Sequence, residues 1–223
     1  MLKDQFTLPI QIDLVAVFLF GVTGGLAALK RGYDVIGLFA LTFVTAVGGG
    51  LIRDGIFIQS GPPTVVADKR YILTILLAGA VAVLFREHVV RYNKVIAFLD
   101  ALGLGAYAVV GMQKAFQAGM GAPGAVLVGM VNASGGGLLR DVLVRDEPLL
   151  FKPGQFYVLA AFAGCLLFAL LVTQFEVITS VAALISIAVT FVLRILAIQF
   201  NWKSSPIWRV PTEPPDDPPD NQT

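Results

Sequence analysis

Cysteine and histidine each occur once in these 223 residues, as Cys165 and His88. A single cysteine cannot close an intramolecular disulfide, and one thiol with one imidazole offers no metal-ligand cluster. Charge is also scarce, at 14% of residues against about 25% in an ordinary soluble domain. Sixteen basic and fifteen acidic residues leave a net charge of +1, so no basic footprint for nucleic acid is present. Catalytic signatures are missing too: there is no Walker loop and no nucleophile elbow, and GVTGG at Gly21 to Gly25 lies inside an apolar run instead of following a strand. The chain does not read as an enzyme.

Apolar residues are what the sequence has in quantity. They make up 57% of the chain and give a mean hydropathy of +0.80. The expected fold class is an all-α integral membrane protein. Runs of about 17 to 25 apolar residues can cross a hydrocarbon core of about 30 Å as helices. Seven are predicted: Leu14 to Leu29, Val35 to Ile58, Tyr71 to Phe85, Val95 to Phe116, Ala122 to Val144, Phe156 to Thr173 and Val177 to Phe200. The first thirteen residues carry no small-residue cleavage site after a short apolar run and do not resemble a removable signal peptide. Beyond Phe200 the Pro-rich acidic tail, 201–223, is expected to be disordered, because it has little apolar surface to bury. Trp202 and Trp208, beside Lys203 and Arg209, fit an interfacial anchor ahead of that tail.

Seven spans place the termini on opposite sides. Lys30, Arg31, Arg86, Arg91, Lys94, Arg145, Lys152, Lys203 and Arg209 all fall on one of them, against Lys3, Lys69, Arg70 and Lys114 on the other. The excess of basic residues on cytoplasmic loops then predicts an outside N-terminus and a cytoplasmic C-terminus.

A heptapeptide occurs twice, as GGGLIRD at Gly48 to Asp54 and as GGGLLRD at Gly135 to Asp141, 87 residues apart. The same offset pairs Asp13 with Asp100, Gly24 with Gly111, Gly32 with Gly119, Gly37 with Gly124 and Ala46 with Ala133 without a gap. The chain therefore divides into an N-terminal segment 1–11, a three-helix unit 12–85, a linker 86–98, a second three-helix unit 99–173, a seventh helix 177–200 and the tail 201–223. Because three spans are odd in number, the second unit enters the membrane inverted relative to the first.

Glycine inside a helix costs about 1 kcal/mol, and a charge at the bilayer centre costs about 2.5 to 3.5 kcal/mol or more. Interrupted helices at equivalent places in inverted repeats are the pattern of a transport pathway near the midplane. Gly48, Gly49 and Gly50 with Gly135, Gly136 and Gly137 are accordingly expected to bend two helices and free carbonyls to face a pathway. Thr45, Asn132 and Ser134 add neutral polar groups within a turn of the triplets. Arg53 with Asp54, and Arg140 with Asp141, are expected to pair and to line or gate the two mouths, since an unpaired Arg would repel a cation.

Other features are less specific. Gly21 with Gly25, Ala101 with Gly105, and Ala125 with Gly129 are small-residue pairs suited to close helix packing. Asp13 and Asp100 are expected to open the first and fourth helices as caps, with a vestibule charge as the alternative. Lys114, next to Gln113, is expected to snorkel to the outer interface, with the pathway as the alternative.

Seven helices in two inverted three-helix units, each bearing GGGxxRD in its second helix, resemble the prokaryotic branch of the trimeric intracellular cation channels over about residues 10 to 200. The resemblance implies a homotrimer in membrane lipid. Each protomer would hold its own pore around the two glycine-bearing helices, conducting potassium and, less favourably, sodium without a cofactor. Eukaryotic members carry a Lys-containing motif where this chain has Arg-Asp, so their lipid and calcium regulation is not carried over. A prokaryotic member would sit in the plasma membrane. The alternative reading is a secondary transporter of a small polar solute such as glycine, since inverted repeats also suit alternating access.

Overall fold

The computed structural model describes residues 7–86, 92–152 and 156–202. Among these residues the fold is entirely helical, as backbone in hydrocarbon requires when no closed barrel satisfies its polar groups. Eight α-helices follow one another: α1 (Ile10–Lys30), α2 (Val35–Ile52), α3 (Thr64–Ala67), α4 (Lys69–Leu84), α5 (Tyr92–Gln117), α6 (Ala122–Leu143), α7 (Tyr157–Thr173) and α8 (Thr179–Gln199). A π-helical turn, Arg53–Ile58, extends α2. Local chemistry sets the starts. The Asp34 carboxylate accepts the Gly37 N–H at 2.8 Å to cap α2, Asp68 accepts the Arg70 N–H at 2.9 Å to cap α4, and Pro123 occupies the first turn of α6.

Five segments are long and apolar enough to cross a membrane: Ile10–Lys30, Val35–Ile58, Asn93–Gln117, Ala122–Leu143 and Thr179–Gln199. Helix α7 is apolar but has 17 residues, and α4 has 16, or about 24 Å. Both are shorter than those five. The linker 86–98 is shorter than expected, because α5 already begins at Tyr92. Residues 87–91, including His88 and Arg91, and the tail from 203 onward, including Lys203, Trp208 and Arg209, lie outside the described residues. Trp202 is within them and meets Phe156 edge-on, with ring centroids 5.8 Å apart.

Helical hydrogen bonding continues through both glycine triplets. Helix α2 runs unbroken through Gly48, Gly49 and Gly50, and α6 runs unbroken through Gly135, Gly136 and Gly137. The irregular turn begins after the first triplet, at Arg53. The glycines serve close contact between the two helices. A Cβ added to Gly49 would lie 2.1 Å from the Asn132 carbonyl oxygen, and one added to Gly136 would lie 2.3 Å from the Thr45 carbonyl oxygen. A missing side chain on each helix lets the two backbones touch, and that packing offsets the propensity cost of glycine.

These contacts are reciprocal. Exchanging the two units by 87 residues turns the Gly49–Asn132 contact into Gly136–Thr45, Gly48–Leu139 into Gly135–Ile52, and Gly24–Thr45 into Gly111–Asn132. Phe20 and Tyr107, themselves 87 residues apart, stack on each other with centroids 5.1 Å apart. Helices α1 and α5 pack together at the centre; α1 also carries α2 and α4, and α5 carries α6, α7 and α8.

Candidate functional site, two buried charge clusters

Arg53 is 3% exposed and sits where α2 gives way to the π-helical turn. Its Nε donates to Asp54 Oδ1 at 2.7 Å, its Nη2 to Asp54 Oδ2 at 3.0 Å and its Nη1 to Asn132 Oδ1 at 3.0 Å. Asn132 passes the link on, donating from Nδ2 to the Tyr107 carbonyl at 2.6 Å, and the Tyr107 hydroxyl donates to the Ala46 carbonyl. On the other side, Asp54 Oδ2 accepts the Thr64 N–H at 3.1 Å and the Thr64 hydroxyl at 3.2 Å, so its charge also anchors α3.

Lys114 turns inward, contrary to the expectation that it snorkels. Its Nζ donates to Thr64 Oγ1 at 2.6 Å and lies 3.7 Å from Asp13 Oδ2. The nearby carboxylates and hydroxyl satisfy the ammonium better than a reach to the interface would. Asp13 does open α1, but it is buried, and it accepts the Tyr71 hydroxyl at 2.5 Å instead of capping backbone N–H groups. Asp13, Arg53, Asp54, Thr64, Tyr71 and Tyr107 line a small pocket together with Val17, Val47, Gly50 and Val65.

The second cluster repeats this plan from α6. Arg140, also 3% exposed, donates from Nε to Asp141 Oδ1 at 2.9 Å, and from Nη1 to Asp100 Oδ1 and Thr23 Oγ1, each at 3.0 Å. Asp141 Oδ2 accepts the Leu149 N–H at 3.1 Å, as Asp54 accepts that of Thr64. Asp100 is not a helix cap: α5 starts eight residues earlier, and the carboxylate is buried at its interior.

The structure thus gathers Arg53, Asp54 and Asn132 at one place and Arg140 and Asp141 at another. Thr45 and Ser134 do not join either cluster. Their hydroxyls donate back to their own helices, to the Leu41 carbonyl at 2.7 Å and the Met130 carbonyl at 2.8 Å. Sequence reasoning missed Thr23, Thr64, Tyr71, Tyr107, Tyr157 and Arg194. A signal existed for Arg194, the single charged residue between Val177 and Phe200. None marked Tyr71 and Tyr157, which fall at span ends like ordinary interfacial aromatics, while Tyr107 lies in mid-span.

Each cluster neutralises a buried Arg with carboxylates and polar oxygens, an arrangement that is costly to break from one side. Each places a guanidinium and carboxylate oxygens side by side in the interior.

Comparison with known proteins agrees with this architecture. A family model described as "Glycine transporter" matches twice, at residues 10–87 and 97–173, and the two matches start 97 − 10 = 87 residues apart. A UPF0126 membrane protein of Deinococcus radiodurans is 36% identical over 154 residues, covering 69% of this chain and 71% of that one. The UPF0126 inner membrane protein YadS of Escherichia coli is 32% identical over 193 residues, covering 86% and 92%. Among solved structures, the trimeric intracellular cation channel orthologue from Rhodobacter sphaeroides superposes with a TM-score of 0.81 at 31% identity over 86% of this chain and 97% of that one. A structure described under conductance through TRIC cation channels gives 0.79 at 30% identity, over 92% and 100%. On the doubled motif, the doubled match and the shared fold, this chain is a membrane protein of the prokaryotic TRIC family, to which the UPF0126 proteins also belong.

Proposed function

We propose that the chain is a passive channel for monovalent cations, with potassium preferred over sodium, and that each protomer of a homotrimer carries its own pathway. The observation that carries this reading is the pair of buried Arg–carboxylate clusters, one from each unit, flanking the α2–α6 crossing. Backbone contact at Gly49 and Gly136 leaves no room for an ion between the two helices there. The pathway therefore runs beside the crossing, past Arg53 and Arg140, and each guanidinium acts as a plug at its own level. When a plug swings aside it leaves carboxylates and neutral oxygens, which favour a partly hydrated cation and exclude anions. Likeness to solved TRIC cation channels supports the same reading.

Seven spans, the inverted second unit, an outside N-terminus and a cytoplasmic C-terminus in the plasma membrane complete the proposal. The reciprocal glycine contacts and the doubled family match support the inversion. No cofactor is needed, because the ion is the cargo. A second reading, secondary transport of a small solute such as glycine, is favoured by the family model's description.

Purified protein in a planar bilayer under an asymmetric KCl gradient separates the two. Unitary currents reversing near the potassium equilibrium potential are expected. Electrical silence with saturable glycine uptake in liposomes would replace the channel with a transporter.

A further inference from the structure

The first cluster contains two carboxylates, Asp13 and Asp54, and two cations, Arg53 and Lys114. Its charge sums to zero. Lys114 belongs to the second unit and reaches across to the first. If the two units were equivalent throughout, the first would return a cation to the second cluster from position 114 − 87 = 27. That position is Ala27, buried in an apolar group with Leu38, Leu41 and Val144. The repeat alone would therefore leave Asp100, Asp141 and Arg140 with one uncompensated negative charge in the protein interior, an expensive condition.

The missing charge comes from elsewhere. Arg194 on α8, 1% exposed, places its guanidinium carbon 4.8 Å from the centroid of the Tyr157 ring. Tyr157 brings it to the cluster. A Cβ built on Gly137 would meet the Tyr157 hydroxyl at 3.2 Å, Asp100 Oδ1 at 3.5 Å and Arg140 Nη2 at 3.8 Å, so all three groups converge on one point. Helix α8 is seated firmly enough to hold this register. A Cβ on Gly164 would meet Thr190 Oγ1 at 1.9 Å, and one on Gly105 would meet the Ile187 carbonyl oxygen at 3.0 Å, both within two turns of Arg194.

We propose that the seventh span supplies the cation that the repeat omits: Arg194 is the counterpart of Lys114, balancing the Asp100–Asp141–Arg140 cluster through Tyr157 and thereby positioning Arg140 on Asp100. It is a positioning residue, one step removed from the passage. The geometry differs while the charge does not, since Arg stacks on an aromatic face and Lys acts as a compact point charge. The two halves of the pathway are thus matched in net charge but built from different cations.

The conduction part of this inference rests on the channel reading; the charge-balance part does not, and the test separates them. In symmetric KCl, R194Q leaves one cluster with an excess negative charge, so its current–voltage relation should rectify by about twofold or more. K114Q, altering the other cluster, should rectify in the opposite sense, and R194K should recover most of the wild-type symmetry. A folded R194Q with a wild-type current–voltage relation, or rectification of the same sign in both variants, would overturn the proposal. Melting of the purified proteins supplies the second readout. R194Q should melt lower by about 5 °C or more, and D100N/R194Q, which restores neutrality, should recover much of that loss. A double variant less stable than R194Q would overturn the charge balance. If wild-type protein carries no current, the channel reading fails alone and the melting series still decides the role of Arg194.

Discussion

Gly49 lies so close to Asn132 that a single added carbon would sit 2.1 Å from the Asn132 carbonyl oxygen. No side-chain motion can relieve a clash with backbone. Gly49→Ala is therefore expected to force α2 and α6 apart, at a cost of about 2 to 3 kcal/mol or more, and Gly136→Ala to behave alike against the Thr45 carbonyl. Gly55→Ala is the control, because nothing lies within 4 Å of its Cβ position. Thermal melting in detergent checks this: loss of stability in the first two and little change in the third.

Asp54→Asn should remove the charge that Arg53 holds by two hydrogen bonds and weaken the acceptor for both donors of Thr64. Breaking a buried pair from one side costs about 3 kcal/mol or more, so lower folded yield is expected, with reduced preference for potassium over chloride in whatever protein folds. Reversal potentials in a KCl gradient measure the second effect. Unchanged yield together with unchanged selectivity would show that the pair does neither job.

Tyr71→Phe deletes the hydroxyl that donates to Asp13 at 2.5 Å while keeping the ring. A hydrogen bond to a charged acceptor is worth about 1.5 to 3 kcal/mol, and the variant should be destabilised by about that amount. Because Asp13 also faces Lys114, the loss should be larger in the background of Lys114→Met, where the hydroxyl carries more of the burden of satisfying the buried carboxylate. A double-mutant cycle on melting free energies reads the coupling.

Asp68, outside the membrane-spanning segments, is held below the usual carboxylate range by its hydrogen bonds with Arg70. A carboxyl whose folded pKa is depressed adds stability that is present above its unfolded pKa and fades as the pH falls through the folded one. Arg70 is exposed and Asp68 only partly buried, so the contribution is small and salt-sensitive. Asp68→Asn should melt slightly below wild type near neutrality, and the gap should close as the pH falls below the depressed value.

Much was legible before any coordinates. Apolar length and scarcity of charge establish helices in a membrane, and the doubled GGGLIRD and GGGLLRD disclose two related units, because covalent order is preserved in sequence. The same repeat brought forward Arg53, Asp54, Arg140 and Asp141, all of which occupy the buried clusters. Periodicity could not distinguish a glycine that bends a helix from one that admits a neighbour. Both carry the same propensity cost, and only the position of the facing backbone separates them.

The direction of long side chains was likewise decided in three dimensions. Lys114 resembles a snorkelling residue until Asp13 and Thr64, 101 and 50 residues away, are seen beside it. Asp100 resembles a cap until Arg140 is found 3.0 Å away. Sequence by itself determined the membrane class, the repeat and the residues able to carry charge, since these depend on composition and order along the chain. Tertiary structure decided which charges meet, because a buried charge is stable only beside partners that folding brings from distant parts of the chain.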